Sequence, residues 1–135
     1  MKKNVYMVQV DLSYGNEDKS VYLPYAIGLL ASFAWANKTV EENYCLGRLV
    51  FRREHITAAI DSFENPYLVG FSNYVWNFEY TKLFAQELKK RYPACIVVFG
   101  GHHVPPDSSL LDTCPSIDIL VHGEGEEIFR DILVA

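Results

Sequence analysis

The stretch YLVGFSNYVWNFEYTKLFAQELKKRYPACIVVFGG, residues 67–101, decides the fold. It opens on a continuous apolar run, Tyr67 to Ser72. A helical segment follows from Phe78 to Arg91, stopped by Tyr92-Pro93, and a second apolar run, Cys95 to Phe99, ends on Gly100-Gly101. Short apolar runs bounded by turn residues suit strands covered on both faces, as in a parallel sheet. The Lys89-Lys90-Arg91 cluster lies at the end of the helix, where its dipole favours cations.

The same alternation extends in both directions. Upstream, Asn4 to Leu12 reads as a β-rich run that stops at Ser13-Tyr14-Gly15-Asn16. Leu23 to Asn37 reads as a helix with Pro24 tolerated in its first turn. Tyr44 to Phe51 is a weaker strand, broken by Gly47 and Arg48, that suits a sheet edge. His55 to Phe63 is a helix ended by Asn65-Pro66. Downstream come a short helix at Ser108 to Asp112, a fifth strand at Ile117 to Val121, and a last helix from Glu126 to Ala135. Five strands, each followed by a helix, predict an α/β fold: a doubly wound, five-stranded parallel sheet of flavodoxin-like strand order in three α/β/α layers.

Length and composition set the outer bounds. At 135 residues, half of them hydrophobic, the chain reads as a single domain over 1–135, able to bury a core. Twelve Lys and Arg against seventeen Asp and Glu leave a net charge of −5, which argues against a nucleic-acid surface. Three widely spaced cysteines without a C-x-x-C pair exclude a dense disulfide framework and a conventional zinc site. No apolar run approaches the roughly 18–20 residues of a membrane span, and the N-terminus lacks a signal-peptide core. A cytoplasmic protein without membrane or nucleic-acid partners is expected. The last helix runs into the C-terminus without a polar tail, which suggests a piece of a longer chain.

In open α/β sheets, ligands sit beyond the carboxyl ends of the strands. Those ends carry Asp11, Ser13, Tyr14 and Gly15; then Ser72, Asn73, Tyr74, Val75 and Trp76; then Gly100, Gly101 and His102; then Gly123, Glu124 and Gly125. Glycine pairs let a ligand approach the backbone, although Gly100-Gly101 equally makes a tight turn. Ser72 can bond a ligand or a neighbouring backbone group. Aromatics at a strand end form a flat wall for a planar ligand or pack under a loop. His102, His103 and His122 stand at neighbouring strand ends, yet nothing in their spacing enforces metal geometry, and no residue is assigned to a metal. No nucleophile–base pair is readable, so the chain alone is taken as non-catalytic.

Rival doubly wound modules fail at the same positions. The segment after the first strand turns acidic at Glu17-Asp18, where a flavin phosphate loop needs hydroxyls and glycine. A G-x-G-x-x-G fingerprint is absent there. A phospho-acceptor receiver needs Asp after strand three and Lys after strand five, where Ser72-Asn73 and His122 stand.

As a set, VGFSNYVWN (69–77), VVFGGHH (97–103) and DILVHGEGEE (118–127), with LPYAIGLLA (23–31), resemble the amino-terminal cobalamin-binding domain of B12-dependent radical SAM proteins. The resemblance covers nearly the whole chain. It implies a flavodoxin-like domain holding cobalamin at its carboxyl edge. The wider superfamily pattern is D-x-H-x-x-G, then S-x-L, then G-G; Ser72 and Gly100-Gly101 match the last two elements. Asp11-Leu12-Ser13 places serine where the cobalt-ligating histidine would stand, and a neutral hydroxyl is a poor transition-metal ligand. The resemblance therefore implies base-off cobalamin without histidine ligation.

A narrow slot for the displaced nucleotide tail is expected against small residues: Gly28, Ala31, Gly70, Ser72, Gly100 and Gly101. Tyr74, Val75 and Trp76 are expected beneath the corrin. A bulky residue at Gly101 should then block the slot and spare the fold. Cys45, Cys95 and Cys114 do not fit the C-x-x-x-C-x-x-C motif of the radical SAM domain. That domain, with S-adenosylmethionine and a [4Fe–4S] cluster, is expected in the parent, a methyltransferase or a cyclase. The competing expectation is a degenerate B12-like fold serving as a cofactor-free docking module.

Overall fold

The computed structural model describes residues 2–10, 25–104, 109–123 and 125–135. Five strands, β1 (Lys3–Val8), β2 (Tyr44–Val50), β3 (Pro66–Ser72), β4 (Ile96–Gly100) and β5 (Ile119–Leu120), form one sheet in the order β2-β1-β3-β4-β5. Every neighbouring pair is parallel. This is the doubly wound, flavodoxin-like order expected from the alternation of strands and helices, with β2 at an edge.

Among the described residues, six helices cover the two faces: α1 (Tyr25–Trp35), α2 (Lys38–Asn43), α3 (Ile56–Asp61), α4 (Phe78–Arg91), α5 (Ser109–Thr113) and α6 (Glu126–Val134). Strand side chains alternate between the faces, so each strand feeds two cores. Val5 and Met7 of β1, Leu68 of β3 and Val98 of β4 pack with Ile27, Ala31, Val40, Phe129 and Leu133 from α1, α2 and α6. Tyr6, Val8, Val69, Phe71, Val97 and Phe99 pack with Ile60, Phe84, Leu88 and Leu110 from α3, α4 and α5.

Local chemistry explains the element ends. In α4, Glu79 sits in the first turn and Lys89, Lys90 and Arg91 in the last, matching the helix dipole. α2 was not anticipated; it starts where Asn37 Oδ1 accepts from Thr39 N at 2.9 Å and Val40 N at 3.3 Å. β1 ends at Val8 rather than Leu12, although Gln9 N still donates to Val50 O at 2.9 Å. β5 is shorter than the predicted Ile117–Val121. The Asp118 carboxylate accepts from Val97 N at 2.8 Å beside a 2.6 Å ion pair to Lys89, so a side chain takes one strand-pairing donor.

Candidate functional site

Parallel register aligns two rows of residues at the carboxyl edge. Met7, Gly70 and Val98 are register partners across β1, β3 and β4, and Ser72 pairs with Gly100 two residues further on. Gln9 completes that outer row, because Val8 pairs with Phe71. Both rows face the α1–α6 layer, since Met7 and Val98 belong to its core.

A cavity of about 870 Å³ lies over these rows. It exists because the central positions lack bulk. A Cβ built on Gly70 would lie 3.6 Å from both Met7 Cε and Phe129 Cε2, and one on Gly100 would lie 3.6 Å from Val121 Cβ. Ile27 and Leu30 of α1 and Phe129 of α6 form walls, while Tyr25, Leu29, His122 and Glu126 also line the space. Gln9 Oε1 accepts from Ile27 N at 3.1 Å, which ties α1 to the end of β1.

The β3–α4 and β4–α5 turns are locked together behind this cavity. Asn73 is fully buried; its N donates to Gly100 O at 2.8 Å, its Nδ2 to the same oxygen at 3.0 Å, and its O accepts from His103 N at 3.0 Å. Thr81 Oγ1 donates to Asn73 Oδ1 at 2.6 Å. Asn77, also buried, donates through Nδ2 to Val10 O at 3.0 Å and Ser72 O at 3.1 Å, and accepts from Tyr74 N at 2.8 Å. Its amide joins the ends of β1 and β3 instead of capping α4.

On this support stands an aromatic stack. The Tyr74 and Trp76 rings lie 4.7 Å apart and 1° from parallel, and His102 stacks on the other partner, Tyr74, at 5.4 Å and 26°. Arg53 Nη2 donates to Trp76 O at 2.9 Å while its guanidinium lies 5.2 Å from the Tyr80 ring centre. Burial pushes the Tyr80 hydroxyl up to about 12, with nearby Glu54 adding to the rise against Arg53 and Arg48. Tyr80 instead keeps its proton and donates to Glu54 O at 2.6 Å.

The sequence-derived candidates divide accordingly. Ser72, Tyr74, Gly100, Gly101 and His102 line the cavity, as do Gly123 and Gly125 across it. Asn73 is a strut between turns, and Val75 and Trp76 stand beside the cavity with 73% and 39% exposure. Asp11, Ser13, Tyr14, Gly15 and Glu124 lie outside the described residues. Gly28 and Ala31 are not among the lining residues: Ala31 is buried in the helix–sheet core, and nothing lies within 4 Å of a Cβ on Gly28. Gly101 has a positive φ of 99°, and a Cβ there would fall 2.5 Å from Asn73 N, so bulk at Gly101 cannot spare the fold.

His103 packs edge-on against Phe78, at 4.7 Å and 74°, rather than joining His102 in the stack. Among the described residues no group of three or more His, Cys, Asp or Glu could hold a metal ion. Cys45, Cys95 and Cys114 are free thiols, and burial pushes Cys95 up to about 12. Sequence reasoning missed Gln9, Met7 and Phe129. Gln9 is legible as the polar residue in an apolar alternation that continues past it to Leu12.

A doubly wound sheet with a cavity over small residues at its carboxyl edge is a ligand-binding α/β module. The B12 binding domain family matches residues 27–133, and the chain belongs to it. It is 35% identical over 113 residues to the cobalamin-dependent radical SAM methyltransferase TokK of Streptomyces tokunonensis, covering 83% of this chain. It is also 35% identical over 114 residues, 84% of the chain, to the 2-(S-pantetheinyl)-carbapenam-3-carboxylate methyltransferase of Streptantibioticus cattleyicolor. The match spans 17% of the length of each relative.

Proposed function

We propose that this chain binds cobalamin base-off, without histidine ligation, as the cobalamin-binding part of a longer radical SAM methyltransferase. The observation that carries the reading is the floor of Gly70, Ser72 and Gly100 beneath the cavity, which leaves room against the sheet for a nucleotide tail. Ser13, in the position of the superfamily's histidine, offers no imidazole to cobalt.

The residues present fit the cofactor. The backbone at Gly100, Gly101, Gly123 and Gly125 lines the cavity where the amide fringe of the corrin would lie, and Gln9 and Ser72 supply polar side chains beside the slot. Tyr74, which lines the cavity and stacks on Trp76 and His102, would offer the corrin an aromatic surface, its backbone held by Asn77. Cobalamin supplies the methyl-carrying cobalt to the parent reaction; this chain's residues bind, orient and dry it. A companion domain binding S-adenosylmethionine and a [4Fe–4S] cluster completes the proposed enzyme.

Titration with hydroxocobalamin, desalting and absorbance spectroscopy test the reading. Retained corrin with a base-off spectrum, little changed by Ser13→Ala, is the expected result. A base-on spectrum overturns the ligation claim, and a complete lack of retention shifts the assignment to a cofactor-free docking module.

A further inference from the structure

The Tyr74–Asn77 turn is held from two sides. From within, Tyr74 N donates to Asn77 Oδ1 at 2.8 Å and Asn77 N donates to Tyr74 O at 3.2 Å. From outside, Arg53, which stands between β2 and α3, donates through Nη2 to Trp76 O at 2.9 Å. The Arg53 guanidinium has a seat of its own, 5.2 Å from the Tyr80 ring centre. That ring is fixed in turn: its hydroxyl donates to Glu54 O at 2.6 Å, and Arg48 grips the Glu54 carboxylate at 2.7 and 2.9 Å. A guanidinium can rest on a ring while its N–H groups bond elsewhere, so one side chain serves both contacts.

We infer that Arg53 is a positioning residue for the cobalamin site, acting through Trp76 on the ring of Tyr74. The inference rests on the cobalamin reading above. Tyr74 lines the cavity, whereas Trp76 and Arg53 do not, so Arg53 reaches the ligand through the stack. The Trp76 ring lies 4.7 Å from that of Tyr74 and 1° from parallel, so its place limits the tilt of Tyr74. Val75 and Trp76 are 73% and 39% exposed, and packing gives this turn little restraint. With Trp76 O released, the Tyr74 face is no longer set before the ligand arrives, and ordering it draws on binding energy. β1 separates β2 from β3 in the sheet, so this bond brings an edge turn into the site.

The test measures affinity for hydroxocobalamin by equilibrium dialysis of the full chain, read by absorbance. Arg53→Ala should weaken binding roughly tenfold. Arg53→Lys, which keeps a charged donor, should recover part of that loss, and Arg53→Met, which keeps only the stem, should recover none. Tyr74→Ala should also weaken binding. Adding Arg53→Ala to it should cost nothing further, because the ring through which Arg53 acts is gone. In a Trp35→Phe background Trp76 is the sole tryptophan, and its emission in the ligand-free chain should shift on Arg53→Met. Additive losses in the Arg53–Tyr74 pair, full recovery with Arg53→Met, unshifted emission, or unaltered affinity in Arg53→Ala each overturn the positioning role and leave cobalamin binding standing. Should Arg53→Ala fail to fold, Arg53→Met takes its place in the same pairing with Tyr74→Ala. No binding by the unmodified chain overturns the cobalamin reading and this role with it.

Discussion

Gly101 lies directly against the backbone of Asn73: a Cβ on Gly101 would sit 2.5 Å from Asn73 N and 2.6 Å from Asn73 O. The contact sets the spacing between the β3 and β4 turns, and with φ at 99° it accepts only glycine comfortably. Gly101→Ala should destabilise the chain by about 1–3 kcal/mol, from left-handed strain and displacement of Asn73. The shift would appear as a lower urea midpoint at unchanged slope. Unaltered stability would mean that the two turns separate freely.

Gly70 and Gly28 make the opposite pair. The Cβ of Gly70→Ala meets Met7 and Phe129 at an ordinary 3.6 Å, so the fold should hold while the slot narrows. Thermal unfolding should stay level or rise slightly, and cobalamin retention should fall. Gly28→Ala enters open space on α1 and should stabilise the helix by about 0.5–1 kcal/mol without altering retention. Loss of retention from Gly28→Ala would place the tail elsewhere.

Asn77→Ala removes the donor to Val10 O and Ser72 O and the acceptor for Tyr74 N. Leaving those buried groups without partners should cost about 1–3 kcal/mol. The Tyr74–Trp76 stack also loses its anchor, so near-ultraviolet circular dichroism should weaken more than the far-ultraviolet signal. An unchanged aromatic signal would show that Arg53 alone orders the stack.

Cys95 and Tyr80 predict an alkaline limit. Both are acids whose folded values rise to about 12, from ordinary values of 9.0 and 10.0, with burial as the leading cause. Between those values the unfolded chain has released protons that the folded chain still holds. Stability is therefore full below about pH 9 and declines as pH rises towards 12. Denaturant titrations across that window should show a falling midpoint. Thiol reagents at pH 8 should label exposed Cys45 quickly and Cys95 only on unfolding.

Much of this architecture is legible from residue patterns. Phe78 to Arg91 reads as α4 because Tyr92-Pro93 stops it and three cations close its last turn. The strand order follows from apolar runs that need cover on both faces. α2 is hidden in the sequence because Asn37 looks like the end of one helix, whereas its side chain starts the next. The site is less legible, since strand ends reveal which residues stand at the edge and not which face they take. Asn73 and Ser72 are neighbours in sequence, yet one braces two turns and the other floors the cavity. Small size alone does not place Gly28 and Ala31 at the cavity: helix periodicity sends Ile27, Ala31 and Ala34 into the core.

The missing side chain at Gly70 has a thermodynamic consequence. Opposite Phe129, the fold forgoes contacts that a larger residue would have made, so the empty domain is less stable than its strand pattern permits. A ligand that fills the space returns that attraction and couples its own binding to folding. At one hundred times its dissociation constant, such a ligand adds about 2.7 kcal/mol. Loading should therefore raise the melting temperature and slow proteolysis of this domain, making its lifetime a gauge of cofactor supply.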